Sequence, residues 1–246
     1  MDLHRLQRNW DELGSADPMW AILAHPERHG NAWSAEEFFA TGEEWMAGYA
    51  DILARLGIAP TRTERALDFG CGAGRLTRAL GRRFDRVDGV DVAPSMIDLA
   101  RAHHAGRPGL HFHLNPTSDL RGFPDAGVDL LVSVIVLQHM TNVLKAGYLR
   151  EFVRVLRPGG VAMFTVPSHA DLSPVGLLRR APNRLQNLYR RRRYGYDAVM
   201  EFHPMRRAKV ERVLLDAGAN VAAVIPEDTA GPPFVSYLYV VTKPAA

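Results

Sequence analysis

From about residue 64 onward, the apolar positions switch repeatedly between strand and helix periods. The run RALDF (65–69) is followed by helical spacing over about 74–82. Next come RVDGVD (86–91), helical PSMIDLARAHH (94–104), LHFHL (110–114), VDLLVSVIV (128–136), helical NVLKAGYLREFVRVL (142–156) and GVAMFTV (160–166). Short β-rich runs alternating with helical segments predict a mostly parallel sheet with helices on both faces. A last helix, about 205–217, stops at Gly218, and two β-rich runs follow, NVAAVI (220–225) and FVSYLYVVT (234–242). The linker PEDTAGPP between them is too short for a helical crossover, so these two runs must pair antiparallel and leave one reversed strand near the sheet edge. Ahead of the sheet, residues 4–57 read as helices broken at AHPERHGN and studded with Trp10, Trp20, Trp33, Phe38, Phe39, Trp45 and Tyr49. Helices so rich in aromatics must lie on something else.

Composition narrows this only a little. With 246 residues, 47% hydrophobic and 23% charged, the chain reads as one soluble α/β domain with appendages: a helical cap over 1–57 and a main body over 58–246. No apolar run spans a bilayer and the first residues lack a signal-peptide pattern, which points to a cytoplasmic protein. Cys71 is the sole cysteine, so an internal disulfide or a cysteine-based zinc site is excluded. The net charge is +3, yet residues 171–205 hold seven arginines against Asp171, Asp197 and Glu201. Attraction to an anionic partner would therefore act locally, around LYRRRRYGY.

The stretch ALDFGCGAGRLTRAL puts Gly70, Gly72 and Gly74 between a strand and a helix, where bare main chain lets a ligand approach amides at a helix start. A dinucleotide fingerprint would need its third glycine at position 75, which is Arg75, so a nicotinamide-dependent dehydrogenase fits poorly. Asp68, just before the loop, can hold its amides or a ligand amino group. Asp91 falls at the end of the second strand, 17 residues after Gly74, where such sheets place a carboxylate that accepts from both hydroxyls of a ribose. The competing reading of Asp91 is a helix cap, with Pro94 and Ser95 as local alternatives.

Four segments in order, LDFGCGAGRLTRAL, VDGVDVAPSMIDLAR, VDLLVSVIVLQHM and REFVRVLRPGGVAMFTVP, resemble the successive motifs of the class I S-adenosylmethionine-dependent methyltransferases over roughly residues 64–168. The resemblance implies a Rossmann-like sheet of seven strands, the last-numbered one antiparallel, with S-adenosyl-L-methionine over the carboxyl ends of the first two. It implies a cofactor site built from Asp68, Gly70, Gly72, Gly74, Arg75, Asp91, Val92, Met96, Asp119, Val134 and Trp33, with the methionine part passing over Gly70 to Gly74. The motif departs from the family after the third strand, where LNPTSDL offers Pro116 in place of an acidic residue. Asn115, Ser118 and Asp119 are the substitutes, and Asp119 is the strongest acceptor among them.

A sulfonium methyl donor is already activated, so alignment and an electron-rich acceptor suffice and no metal is required. Histidines 103, 104, 111 and 113 face different directions and make no ligand set. His139 follows the fourth strand and resembles the general base of some sugar and natural-product O-methyltransferases; a positional role is its alternative. His169 is a weaker candidate base, and Gln138, His139, His169 and His203 are the expected substrate-side residues. An insertion of about 170–204 and the N-terminal helices should form a lid, with Trp33, Phe38 and Trp45 as wall candidates. The expected function is methyl transfer to a hydroxyl of a small or medium-sized metabolite, such as a sugar or polyketide-like product. Transfer to nitrogen, carbon or an RNA base, using Arg190–Arg193, is the alternative, and a scaffold or binding protein that keeps the fold is another. The expected partner is the small-molecule acceptor, not nucleic acid or membrane, with the chain a monomer or homodimer.

Overall fold

A computed structural model describes residues 3–179 and 200–245. The helical N-terminal region comprises α1 (Leu3–Ala16), α2 (Pro18–Ile22), a single 3-10 turn at Pro26–Arg28 and α3 (Ala35–Leu56). The break between α2 and α3 falls in the proline- and glycine-bearing AHPERHGN stretch, as the pattern requires. α3 starts at a reciprocal cap: Ser34 Oγ accepts from Glu37 N at 3.2 Å, and Glu37 accepts in turn from Ser34 N at 3.4 Å. It stops at Gly57, whose φ of 65° few other residues adopt.

The sheet contains β1 (Arg65–Phe69), β2 (Arg86–Asp91), β3 (Leu110–Leu114), β4 (Val128–Ser133), β5 (Leu156–Ala170), β6 (Asn220–Glu227) and β7 (Phe234–Thr242), in the spatial order β3-β2-β1-β4-β5-β7-β6. Strands β1 to β5 pair in parallel, and β7 runs antiparallel to both β5 and β6. The expected class holds: seven strands, mostly parallel, with the last-numbered one reversed. Helices α4 (Arg75–Leu80), α5 (Pro94–His103), α6 (Asn142–Val155), α7 (Pro174–Arg179) and α8 (Arg207–Asp216) complete the described elements.

Each central strand alternates its side chains between two cores. Leu67, Phe69, Leu131, Phe164 and Tyr239 pack with Leu149 and Phe152 of α6 and Val210 and Leu214 of α8. Ala66, Leu130, Val132, Met163 and Val240 pack on the other side, with Met46 of α3 and Leu76 of α4. The strand order reverses between β1 and β4, and the crevice beyond the carboxyl ends of those strands is where such sheets bind ligands.

Two elements depart from the sequence pattern. β5 is much longer than GVAMFTV: Leu156 pairs with Val128 before Val161 pairs with Leu130, so the RPGG turn is taken up as an irregularity inside the strand. At the other end β7 extends β5 through His169 and Ala170, because a long partner supplies hydrogen bonds that PSHA does not advertise. β4 ends early, at Ser133, and Ile135 has a φ of 63° that turns the chain out of the sheet. Among the described residues no helix is long and apolar enough to cross a membrane. Most of the expected 170–204 insertion, including Arg190–Arg193, lies outside the described residues.

Candidate functional site

The glycine loop is held from beneath by main chain. Gly70 N and Cys71 N both donate to Val90 O, at 2.7 and 3.0 Å. At Gly70 the φ is 77°, and a Cβ there would lie 2.3 Å from Val136 Cγ2. Gly72, with a φ of 51°, lies against Ile22 of α2, whose Cδ1 would be 2.5 Å from an added Cβ. Position and space together exclude side chains at both residues. Gly74 has a different reason: its added Cβ would meet His104 Nε2 at 2.7 Å and the Phe112 ring, so it serves packing against α5 and β3 and does not border the cavity.

Asp91 sits beside this loop. Its Oδ2 accepts from Gly72 N at 2.9 Å and its Oδ1 from Ala93 N at 3.0 Å. Burial pushes its pKa up, and the amides of Ala93, Gly72 and Val92 pull the other way. An ionised carboxylate offers about four lone-pair sites, so these amides do not use all of its acceptor capacity. The local cap expected at Pro94 and Ser95 does not form from within α5. Asp11 of α1 instead accepts from Ser95 N at 2.8 Å, satisfying a helix-start donor that Ala93 cannot.

The cavity opens over these residues. It encloses about 70 Å³, below the roughly 300–1,000 Å³ of most small-molecule sites, because apolar side chains of the N-terminal helices fill the space above the loop. Gly70, Gly72 and Asp91 form its floor; Val92, Met96, Asn115 and Tyr148 border it together, Tyr148 Oη lying 3.4 Å from Asn115 Nδ2, and Val134, Val136, His139 and Met140 complete the lining. Leu3, Leu6 and Trp10 of α1, with Ile22 of α2, roof it. Gln7 Nε2 donates to Val92 O at 3.0 Å, so α1 is tied to the floor's flank as well as to α5.

This roof corrects the expected one. Trp33 lies outside the cavity, its ring 6.0 Å from Phe38 and beneath the Arg28 guanidinium. Trp45 lies under the Arg75 guanidinium, 4.9 Å from its carbon. The missed residues carried a signal: Leu3, Leu6 and Trp10 share one face of an amphipathic helix at i, i+3 and i+7.

Other expected cofactor-side residues stand behind the site or away from it. Asp68 is buried under the loop, accepts from Thr77 Oγ1 at 2.6 Å, and has its pKa pushed up to about 6 chiefly by burial. Arg75 is buried, donates to Thr41 Oγ1 at 3.3 Å, and has its pKa brought down to about 10 by burial. Neither borders the cavity. Asp119 is forked by Arg121 at 2.8 and 2.7 Å, and that guanidinium holds its carboxyl well below the usual range. Of the three substitutes after β3, Asn115 alone lines the cavity, with its Nδ2 on Asp119 O at 3.0 Å. Tyr148, which no pattern singled out, also borders the cavity and donates to Thr117 O at 2.6 Å.

On the other side, the turn at Leu137–His139 carries His139 into the lining. Its ring sits 4.8 Å from Trp10 at 64° and 6.2 Å from Phe202 at 90°. His139 Nδ1 lies 2.9 Å from Glu201 O. A carbonyl can only accept, so Nδ1 carries the proton of the neutral ring and Nε2 is the basic nitrogen. Gln138 is buried and outside the lining; its main-chain oxygen accepts from His203 N at 2.7 Å. His203 Nε2 lies 2.9 Å from Glu201 Oε2, and Lys145 Nζ donates to His203 O. Burial brings the Lys145 pKa down to about 7. His169 is exposed on β5 with Nδ1 3.1 Å from Ser168 Oγ, and neither it nor His203 borders the cavity. Among the described residues no three His, Cys, Asp or Glu side chains gather as metal ligands.

The chain matches a methyltransferase domain family over residues 67–164. It is 36% identical over 113 residues to the malonyl-[acyl-carrier protein] O-methyltransferase of Serratia marcescens, covering 46% of this chain and 42% of that one. It is 30% identical over 141 residues to the trans-aconitate 2-methyltransferase of Rhodopseudomonas palustris (strain BisB18), covering 56% of this chain and 52% of that one. The chain thus spans about half the length of these relatives. In fold it is similar to magnesium protoporphyrin IX methyltransferase of Synechocystis PCC 6803, solved with bound SAH: TM-score 0.66, 14% identity, 98% of this chain and 100% of that one. Residues 67–164 thus carry a methyltransferase domain, and the reversed seventh strand and the cavity at the switch point give the chain the fold seen in S-adenosylmethionine-dependent methyltransferases, which it resembles.

Proposed function

We propose that this chain transfers the methyl group of S-adenosylmethionine to a hydroxyl of a small or medium-sized metabolite, of the sugar or polyketide-like kind, with His139 as general base. The observation that carries the reading is a single cavity bordered by Gly70, Gly72 and Asp91 on its floor and by an imidazole of defined tautomer on one wall. The residues present fit the cofactor. Gly70 and Gly72 both border the cavity and can offer main chain to a polar tail, and the remaining acceptor capacity of Asp91 suits a sugar hydroxyl. Val92 and Met96 offer an apolar flank for a flat base, and Asn115 a polar edge.

When bound, S-adenosylmethionine supplies a methyl group already activated by cationic sulfur. The chain's own part is to align the acceptor, exclude water and give the hydroxyl proton a destination. Leu3, Leu6 and Trp10 do the excluding, and His139 Nε2 takes the proton.

The two relatives named above point to acceptors bearing carboxylates, which need no base. A carboxylate does need compensating charge when buried, and no lysine or arginine lines the cavity among the described residues. What favours the hydroxyl is His139 on the cavity wall, a base for which a carboxylate acceptor would have no use. The test is transfer of a labelled methyl group to a panel of alcohols, phenols and carboxylic acids, with His139→Ala in parallel. Turnover on a hydroxyl acceptor should fall by about 10²- to 10⁴-fold in the variant, while S-adenosylhomocysteine affinity stays within about twofold of wild type. Turnover on carboxylates alone, or full activity without His139, overturns the reading.

A further inference from the structure

Residues 200–205 run against His139, outside the cavity lining, and several of their ties converge on one side chain. Glu201 is buried, with its side chain 7% exposed. Its Oε1 is 3.0 Å from Arg5 Nη2 of α1, and its Oε2 is 2.9 Å from His203 Nε2. Its own carbonyl oxygen is the atom 2.9 Å from His139 Nδ1. The next residues are anchored separately: His203 N to Gln138 O at 2.7 Å, Met205 N to Pro167 O at 2.9 Å, and His203 O to Lys145 Nζ. Phe202 stacks on Phe234 at 4.0 Å and meets the His139 ring edge-on.

The two ends of α1 are tied to different things. Gln7 and Asp11 fasten it to Val92 and Ser95, beside Asp91. Arg5, two residues before Gln7, fastens it to Glu201, beside His139. A nearly buried carboxylate is expensive unless paired, so the Glu201 side chain fixes where its backbone lies, and its backbone fixes which nitrogen of His139 bears the proton.

We propose that Glu201 is a positioning residue: paired with Arg5 and His203, it latches residues 200–205 to α1 and thereby holds His139 in the tautomer whose Nε2 is the base. The proposal rests on the reading of His139 as a base, but its first test needs no acceptor. In the full chain labelled with nitrogen-15 at histidine and held at about pH 8.5, where an unperturbed imidazole is neutral, the His139 signals are identified by their loss in His139→Ala. Wild type should show the proton on Nδ1. Glu201→Ala should move a large part of that population to the Nε2-protonated form. Arg5→Met, which alters a half-exposed side chain and leaves the core intact, should move it the same way by a smaller amount.

An Nε2-protonated wild type, or an unchanged Nδ1 signature in both variants, overturns the latch. On any hydroxyl acceptor found in the panel, Glu201→Ala should lower kcat by roughly 10- to 100-fold with S-adenosylhomocysteine affinity preserved, because the Gln7 and Asp11 ties remain. It should have no further effect on top of His139→Ala. Loss of activity in His139→Ala with full kcat in Glu201→Ala would sink this proposal alone. Full kcat in His139→Ala would sink the base reading.

Discussion

Asp91→Ala is the most direct perturbation of the site. The substitution removes two carboxylate oxygens that now accept from Gly72 N and Ala93 N at 2.9 and 3.0 Å. In the proposed complex it also removes the charged acceptor for a sugar hydroxyl. A hydrogen bond to a charged group contributes roughly 1.5 to 3 kcal/mol, and part of that is recovered by water entering the space. A net loss of about 1 to 3 kcal/mol corresponds to roughly 5- to 150-fold weaker binding. The measurement is calorimetric titration with S-adenosylhomocysteine, alongside urea unfolding of the same preparations. The unfolding curve matters because the released amides loosen the glycine loop and lower stability by about 1 to 3 kcal/mol. Asp91→Asn separates the two roles: its one carbonyl oxygen still holds one amide, so it should recover part of the stability while leaving affinity low. A folded Asp91→Ala protein with unchanged affinity would show that Asp91 organises the loop and does not touch the cofactor.

Gly70→Ala should lower stability by roughly 2 to 5 kcal/mol, combining the cost of a side chain at φ 77° with overlap on Val136; an unchanged urea midpoint would refute the close approach. His104 is buried, its Nε2 3.2 Å from Ala73 O and its ring stacked on Phe112, and burial brings its pKa from 6.5 to about 4. As pH falls from 6.5 towards 4 the unfolded chain takes up a proton that the folded one refuses, so stability should drop by up to about 3 kcal/mol across that window and be unaffected above it. His104→Phe should remove that slope; an equal acid loss in both proteins would place the cause elsewhere.

The motif-bearing half of the chain was legible because each local signal had one consistent outcome. RALDF, RVDGVD and LHFHL became β1, β2 and β3 at the expected bounds, since an apolar run flanked by turns has little choice when it must be buried on both faces. Gly70, Gly72 and Asp91 meet at the cavity because a strand–loop–helix unit fixes where its own turn lies. Gly74, Asp68 and Arg75 belong to the same motif yet face α5, α4 and α3, because along a tight turn successive residues point in different directions.

The sequence by itself determined the sheet, its one reversed strand, the glycine loop and the carboxylate beside it, because each follows from a local run whose period and flanking turns leave it one outcome. Only the tertiary structure decided what covers the site: Leu3, Leu6 and Trp10 in place of Trp33, and Asn115 and Tyr148 in place of Asp119. It also decided the proton on His139, set by a carbonyl 62 residues away. Helix periodicity reports that a face is apolar but not what it will lie against. That choice is made by shape and by polar ties such as Asp11 to Ser95 and Arg5 to Glu201, whose partners are distant in the chain and meet only after the sheet has formed.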